Sequence, residues 1–305
     1  MTTEDMSTTE LPASFEESVT SAVQSTLACK ADGNLRLRVD FDTSMGDETY
    51  TKLKSSMLFT QKFVSQIATG LLSVDDNEEV SKMAIKDSDA MTIRLYFPDA
   101  GSAALAQRDW KVASREALVP SCVRFASLSR DLPAATDVAL LFVCPRASEV
   151  DSLKIVMKDV EEKNVLLIFI NPGKKFTLFL LSLPLQLSSF DSQNCYNLLT
   201  ELVNMGVTGY GAAGRMLREQ LIDTLANSYY LRTLEWGAVT RAYPRGFSVW
   251  KSDETAPGGY TLLTTTKQLL NFEELEELYA AEYPERPNAD FFGSLSRFIE
   301  GFGRI

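Results

Sequence analysis

Apolar positions in the first part of the chain recur at helical spacing, interrupted by one alternating segment. Residues every four positions from Phe15 to Leu27 predict an amphipathic helix that ends at Asp32-Gly33. The alternation from Leu35 to Phe41 predicts the first strand. A long second helix is predicted by the apolar face of Leu53, Met57, Val64, Ile67 and Leu71.

Short apolar runs then alternate with helical segments. Runs of continuous apolar character are typical of strands that are buried on both sides of a parallel sheet. We therefore predict an α/β fold in three layers, with a mainly parallel sheet. The helices are predicted at Ala103–Trp110 and Val150–Lys163, and the strands at 92–98, 123–128, 137–145 and 164–172.

The C-terminal third contains three aromatic β segments, at 229–236, 237–250 and 258–266. Short turns join them, which predicts an antiparallel C-terminal edge on the sheet. Pro244 lies inside the second segment, and because proline cannot donate to a strand ladder it indicates an edge or a bulge there.

The domain organisation predicted from these patterns has three parts. Residues 1–12 are expected to form a disordered acidic tail, and residues 13–270 a single α/β domain. The acidic pattern FEELEELYAAEYPERP, followed by an apolar end, predicts a helical C-terminal tail over 271–305.

The composition narrows the possible chemistry. The chain has 305 residues, 45% of them hydrophobic, and a net charge of −11, so binding of a nucleic-acid backbone is not expected. It has no histidine, which removes the commonest general base and metal ligand. Its four cysteines have no paired spacing, so we predict a reducing compartment and no metal site. No cofactor is predicted. The longest apolar run, 178–187, is too short to span a membrane.

One stretch departs from the acidic character of the chain. Between Gly209 and Lys251 the chain has six basic residues and three acidic ones. This basic and aromatic region is where we expect a ligand or partner to bind. Its candidate site residues are Gly209, Gly211, Gly214, Arg215, Arg218, Trp236, Arg241 and Arg245.

Gly209, Gly211 and Gly214 form the spacing GxGxxG before a predicted helix. Such a turn can hold a phosphate at a helix N-terminus, where Arg215 and Arg218 would also favour an anion. The residues before the turn resemble a helix, whereas a dinucleotide site requires a preceding strand. Two interpretations of the turn therefore remain open: it binds a phosphate-containing molecule or a nucleotide, or it has only a structural role.

A second alternative concerns Asp40 and Asp42 at the end of the first strand. Their spacing is similar to the DxDxT pattern of haloacid-dehalogenase-like phosphotransferases, which use an aspartyl nucleophile and Mg²⁺. The later motifs of that class do not follow in order. A strand-end aspartate and a helix cap explain the same residues.

Several motifs resemble a domain family of plastids and cyanobacteria. They are NVLLIFINP (164–172), the glycine-rich turn with its helix, and the block YYLRTLEWGAVTRAYPRGFSVW (229–250). The segment VDFDTSMGDETYTKLKSS (39–56) is similar to the algal version. The family includes a photosystem II accumulation factor and the C-terminal extension of a plastid adenylate kinase.

The resemblance implies a protein of the plastid stroma that acts in photosystem biogenesis and not as a catalyst. Its implied partners are thylakoid or photosystem assembly proteins. No transit peptide is visible at the acidic N-terminus, and without a leader the protein would be cytoplasmic. The chain also lacks GxxxxGK[ST], so adenylate kinase activity is not expected.

The stretch 173–200 departs from the family pattern, in which the Asn-Pro strand end runs almost directly into the glycine-rich loop. Its Phe, Leu and Ser composition differs from that of its neighbours. We interpret it as an insertion or a retained intron. The expected function is therefore a non-enzymatic auxiliary or assembly factor, with a phosphate- or nucleotide-binding protein as the alternative.

Overall fold

The computed structural model describes most of the chain but not the predicted glycine-rich turn or the predicted insertion. The described residues are 7–41, 49–72, 91–145, 150–160, 163–172, 225–234, 236–256, 258–270 and 272–283.

The described helices and strands alternate in the order expected of an α/β protein. The helices are α1 (Phe15–Ala31), α2 (Thr49–Leu72), α3 (Ala100–Asp109), α4 (Val150–Val160) and α5 (Phe272–Glu282). The parallel strands are β1 (Arg36–Phe41), β2 (Thr92–Phe97), β3 (Val123–Ser127), β4 (Asp137–Val143), β5 (Leu166–Ile170) and β6 (Ala226–Leu234). They are followed by β7 (Gly237–Ala242), β8 (Phe247–Ser252) and β9 (Tyr260–Thr266).

All nine of these strands join one sheet in the order β3-β2-β4-β5-β1-β6-β7-β8-β9. Neighbouring strands from β3 to β6 are parallel, and the ladders β6–β7, β7–β8 and β8–β9 are antiparallel. The predicted α/β class, with a mainly parallel sheet and an antiparallel C-terminal edge, is confirmed. We call the four strands β6 to β9 the antiparallel extension.

Helices cover both faces of the sheet, which explains the apolar runs of the central strands. On one face α1, α2 and α3 pack on alternate residues such as Leu37, Val39 and Leu141. On the other face α4 packs on the intervening residues, among them Leu140 and Phe142. Strands β4 and β5 are buried almost throughout because they receive helices on both sides.

Local sequence sets the ends of α1. Ser14 caps its first turn by accepting a hydrogen bond from the Glu17 backbone over 3.1 Å, and the Glu17 carboxylate accepts one from Ala13 over 2.7 Å. This reciprocal arrangement is a capping box. Gly33 follows the helix with φ of 89°, a conformation that glycine adopts without strain.

The segment 237–250 forms two strands and not the single one that its sequence indicated. Pro244 lies in the turn between β7 and β8, where it replaces no ladder hydrogen bond. The Tyr243–Pro244 peptide bond is cis. The turn also brings the Tyr243 hydroxyl within 2.8 Å of Asp32, to which it donates.

The residues before α1 contact the antiparallel extension. Thr9 is buried, and its backbone N–H donates to Ser248 Oγ over 2.9 Å. Its carbonyl accepts from Thr240 Oγ1 over 3.2 Å. These two hydrogen bonds attach Thr9 to β7 and β8. The disorder expected of residues 1–12 stays a prediction.

Candidate functional site

The structure places three of the eight candidate site residues. Trp236, Arg241 and Arg245 belong to the antiparallel extension. The glycine-rich turn and its two arginines lie outside the described residues, so phosphate or nucleotide binding there stays a prediction. The residues concerned are Gly209, Gly211, Gly214, Arg215 and Arg218.

The three described candidates do not form one exposed surface. Trp236 is buried, with its ring centroid 5.7 Å from that of Tyr279 on α5. Arg241 is 7% exposed and places its guanidinium carbon 4.7 Å from the centroid of Phe247. Arg245 is exposed in the turn between β7 and β8. Two of the three therefore hold the extension together, and only Arg245 faces solvent.

Arg241 belongs to a charged and aromatic cluster on the α4 side of the sheet. Asp40 lies opposite Tyr230, and Tyr230 lies opposite Arg241, so the three side chains share one face. Arg38, two residues before Asp40, binds both oxygens of its carboxylate, with Nη2 to Oδ1 at 2.9 Å. We call Arg38, Asp40, Tyr230 and Arg241 the arginine–tyrosine cluster.

Electrostatics keep this cluster charged. Burial by itself lowers the pKa of Arg38, but the charge of Asp40 and its hydrogen bonds outweigh this and raise that pKa above its usual value. Burial raises the pKa of Tyr230, so its hydroxyl stays protonated at neutral pH. With Arg241, the cluster holds two guanidinium groups and one carboxylate. The cluster therefore has a net positive charge, whereas the chain as a whole has a net charge of −11.

Asn227 completes the surroundings of Asp40. Its Nδ2 donates to Asp40 Oδ2 over 3.3 Å, and its buried Oδ1 has no hydrogen-bond partner within the described ranges. The ion pair with Arg38 and the hydrogen bond from Asn227 engage both oxygens of Asp40. Asp42 lies outside the described residues, so the DxDxT-like alternative stays a prediction. Arg38 was not among the predicted site residues, although the alternation RLRVD places Arg38 and Asp40 on one face.

A second polar cluster lies at the carboxyl ends of β4 and β5. Cys144 and Asn171 follow these strands with φ of 44° and 47°, in the left-handed region that non-glycine residues rarely adopt. Asn171 Nδ2 donates to Ser56 Oγ over 2.8 Å, and Asn171 Oδ1 accepts from the backbone of Phe41 over 2.7 Å. Cys144 Sγ lies 3.6 Å from the same Ser56 oxygen.

This second cluster lies at the carboxyl ends of the parallel strands, which is where open α/β folds bind ligands. Ser56, Cys144 and Asn171 are each at least 96% buried. Their hydrogen bonds join β1, β4, β5 and α2 and thereby hold the ends of these strands together. Asn171 belongs to the motif INP, whereas nothing in the sequence pattern distinguished Ser56 from other helical serines.

An open groove lies at the far end of the antiparallel extension, between β9 and α5. Its volume is about 330 Å³. Threonines line it on the strand side, and leucines and glutamates line it on the other side. They are Thr264, Thr266, Leu270, Glu274, Glu277 and Leu278. We call it the β9–α5 groove.

Comparison with known families identifies the chain. A family model described as a domain of unknown function, DUF1995, matches residues 12–175 and 197–277. The chain belongs to the DUF1995 family. No match to the chain was found among curated proteins or among solved structures.

The DUF1995 match covers every described helix and strand from α1 to β9 and ends within α5. Residues 176–196 fall between its two parts and lie within the stretch 173–200, whose interpretation as an insertion stays a prediction. Across the described ranges, no helix is long and apolar enough to cross a membrane. The same residues contain no group of three Cys, Asp or Glu side chains placed to hold a metal.

Proposed function

We propose that this DUF1995 protein is a non-enzymatic auxiliary factor that acts in the assembly of the photosynthetic apparatus in the plastid stroma. It binds a partner protein through the antiparallel extension, which contains most of the basic and aromatic region. The observation that carries the proposal is the position of β9, which has β8 on one side and, among the described strands, no neighbour on the other.

An edge strand is suited to binding a protein. Its outer backbone N–H and C=O groups are a template onto which another chain can add a strand. The groove beside β9 provides space for the side chains of such a strand. Parallel strands in the centre of the sheet offer no such template, since both of their edges are paired.

Arginines at the rim of the extension supply charge for partner recognition. Arg232, near the end of β6, and Arg245, in the β7–β8 turn, are both exposed. Charged groups at the rim of an interface affect the rate and specificity of association more than the affinity. The plastid assignment and the photosystem partners are supported by the resemblance of 164–172 and 229–250 to plastid and cyanobacterial relatives.

The proposal is tested by affinity purification of the tagged chain from detergent-solubilised algal thylakoids. The wild-type chain should enrich photosystem subunits or their assembly proteins over a mock purification. An Arg232→Glu/Arg245→Glu chain should enrich them less. The matched control is Arg115→Glu/Arg130→Glu, which changes the charge equally with two exposed arginines near β3, at the other end of the sheet. Absence of enrichment with the wild-type chain would overturn the proposed function.

A further inference from the structure

We propose that the β9–α5 groove binds an extended segment of the partner in which basic and apolar residues alternate, and that this segment pairs with β9 as an additional strand. The inference rests on the proposed function, because it names how the partner is recognised. Three observations carry it: the side of β9 on which no described strand pairs, the groove beside it and the charge of α5.

The first observation is the regular backbone of β9 next to the groove. Residues Thr264 to Thr266 pair in register with Phe247 to Val249 of β8, and the irregularity of this ladder lies before Thr264. Bulges interrupt strand addition, so a new strand can pair along the regular stretch that begins at Thr264. It is also the part of β9 that lines the groove.

The second observation is the direction of the side chains. Thr264 and Thr266 are two residues apart, so both point to the face of the sheet that carries α5. A strand added beside them directs every second side chain to that face. Those side chains enter the groove, where Leu270 and Leu278 offer apolar contact.

The third observation is charge. Helix α5 contains five glutamates and neither Lys nor Arg. Glu282 pairs with Lys251 of β8. Glu274 and Glu277 lie one turn apart and line the groove, and Glu277 is exposed. A lysine or arginine entering the groove meets these carboxylates, and an acidic segment is repelled.

The same charges disfavour a second copy of the chain as the occupant. Two copies paired through β9 would each bring an acidic α5 to the shared edge, so like charges would oppose one another. A partner with alternating Lys or Arg and apolar residues satisfies both the backbone and the charge of the site. The chemical class of the partner segment follows from these two requirements.

The experiment uses the complete chain and fluorescein-labelled octapeptides, with anisotropy as the readout. An alternating Lys–Val peptide should bind saturably with one site per chain. A Glu–Val peptide, and a Lys–Val peptide of equal charge with prolines at two central positions, should each bind at least about tenfold more weakly. The proline peptide distinguishes strand pairing from attraction by net charge, because proline cannot donate to a ladder.

Variants localise the binding. Glu277→Lys should weaken binding of the Lys–Val peptide at least about tenfold. Glu254→Lys, an equal charge change at an exposed residue in the turn between β8 and β9, should leave binding within about twofold of the wild type. Equal affinity for the proline peptide, or unchanged binding by Glu277→Lys, would overturn the inference. A chain that is dimeric by light scattering and becomes monomeric on peptide addition would overturn it in favour of a second copy.

The two proposals can fail separately. Peptide binding that depends on Glu277, together with no capture of photosystem proteins from thylakoids, would overturn the proposed function and support the groove. Capture of those proteins by the Glu277→Lys chain at the wild-type level would overturn the proposed binding in the groove and leave the proposed function standing.

Discussion

Lys251 Nζ donates to Glu282 Oε2 over 2.7 Å and thereby ties the last turn of α5 to strand β8. The hydrogen bond to Glu282 is the main reason that the pKa of Lys251 lies above its usual value. Leu275, Leu278 and Tyr279 pack the same helix on the core of the antiparallel extension. Together these contacts position one wall of the β9–α5 groove.

Replacing Lys251 by Met should loosen α5 while leaving the central sheet intact. The helix loses its ionic contact at one end, so its amides should exchange with deuterium faster, whereas those of β4 and β5 should keep wild-type protection. Hydrogen exchange read by mass spectrometry measures both. Lys267→Met, at an exposed lysine beyond β9, is the control. Unchanged protection of α5 in Lys251→Met would show that apolar packing alone holds the helix.

Asp137→Ala should destabilise the opposite half of the sheet strongly. Asp137 is buried at the start of β4 and accepts from Arg94 Nε over 2.6 Å, from Thr92 Oγ1 over 2.6 Å and from the backbone of Ala134 over 2.7 Å. Removing one partner of a buried pair leaves an uncompensated charge, which costs about 3–5 kcal/mol. Urea unfolding measures the loss.

The control for that variant is Asp109→Ala, whose pair with Arg108 is exposed. It should change the free energy of unfolding by no more than about 0.5 kcal/mol. Equal losses in the two variants would contradict a structural role for the buried Asp137 network.

Acid should release the turn between β8 and β9. A hydrogen bond from the Thr255 hydroxyl, with others from Thr261 and the Thr255 backbone, lowers the pKa of Asp253 from 3.8 to about 2. A lowered carboxyl pKa means that the stabilisation is present above pH 3.8 and is lost as the pH falls towards 2. Thr261→Val should raise the Asp253 pKa towards its usual value in an NMR titration, and Thr264→Val should not. An Asp253 that titrates normally in the wild type would refute the prediction.

The phosphate- or nucleotide-binding alternative makes its own prediction. A ligand present at about 100 times its Kd adds about 2.7 kcal/mol to stability, which a thermal-shift screen of nucleotides and phosphorylated metabolites detects readily. If the glycine-rich turn binds phosphate, one such ligand should raise the Tm of the wild type but not of Arg215→Glu. A flat screen would count against this alternative.

The central parallel strands were predictable from the sequence because both of their faces are buried. The run VLLIFI (165–170) has no polar position, and the structure places β5 between β4 and β1 with helices on both faces. The order of the strands in the sheet was not predictable, because it depends on packing between distant segments. Pro244 was predicted to mark an edge or a bulge, and the structure places it in a turn, where Arg245 and Gly246 follow it.

The candidate site was harder to predict than the fold. The basic and aromatic composition of 209–251 indicated a binding region, but burial decides which residues can bind, and Trp236 and Arg241 turned out to be interior. The β9–α5 groove joins a threonine-rich strand to an acidic helix. Each of these segments by itself resembles an ordinary solvent-exposed element, and only their juxtaposition makes a groove.

The central claim is that this protein acts on the photosynthetic apparatus by binding its components. Native gel electrophoresis of algal thylakoids after pulse labelling tests it most directly. The account predicts that the chain migrates with newly labelled photosystem assembly intermediates, and that its depletion slows their conversion to mature complexes. Migration of the chain only as a free monomer, with assembly at the wild-type rate after depletion, would contradict the account.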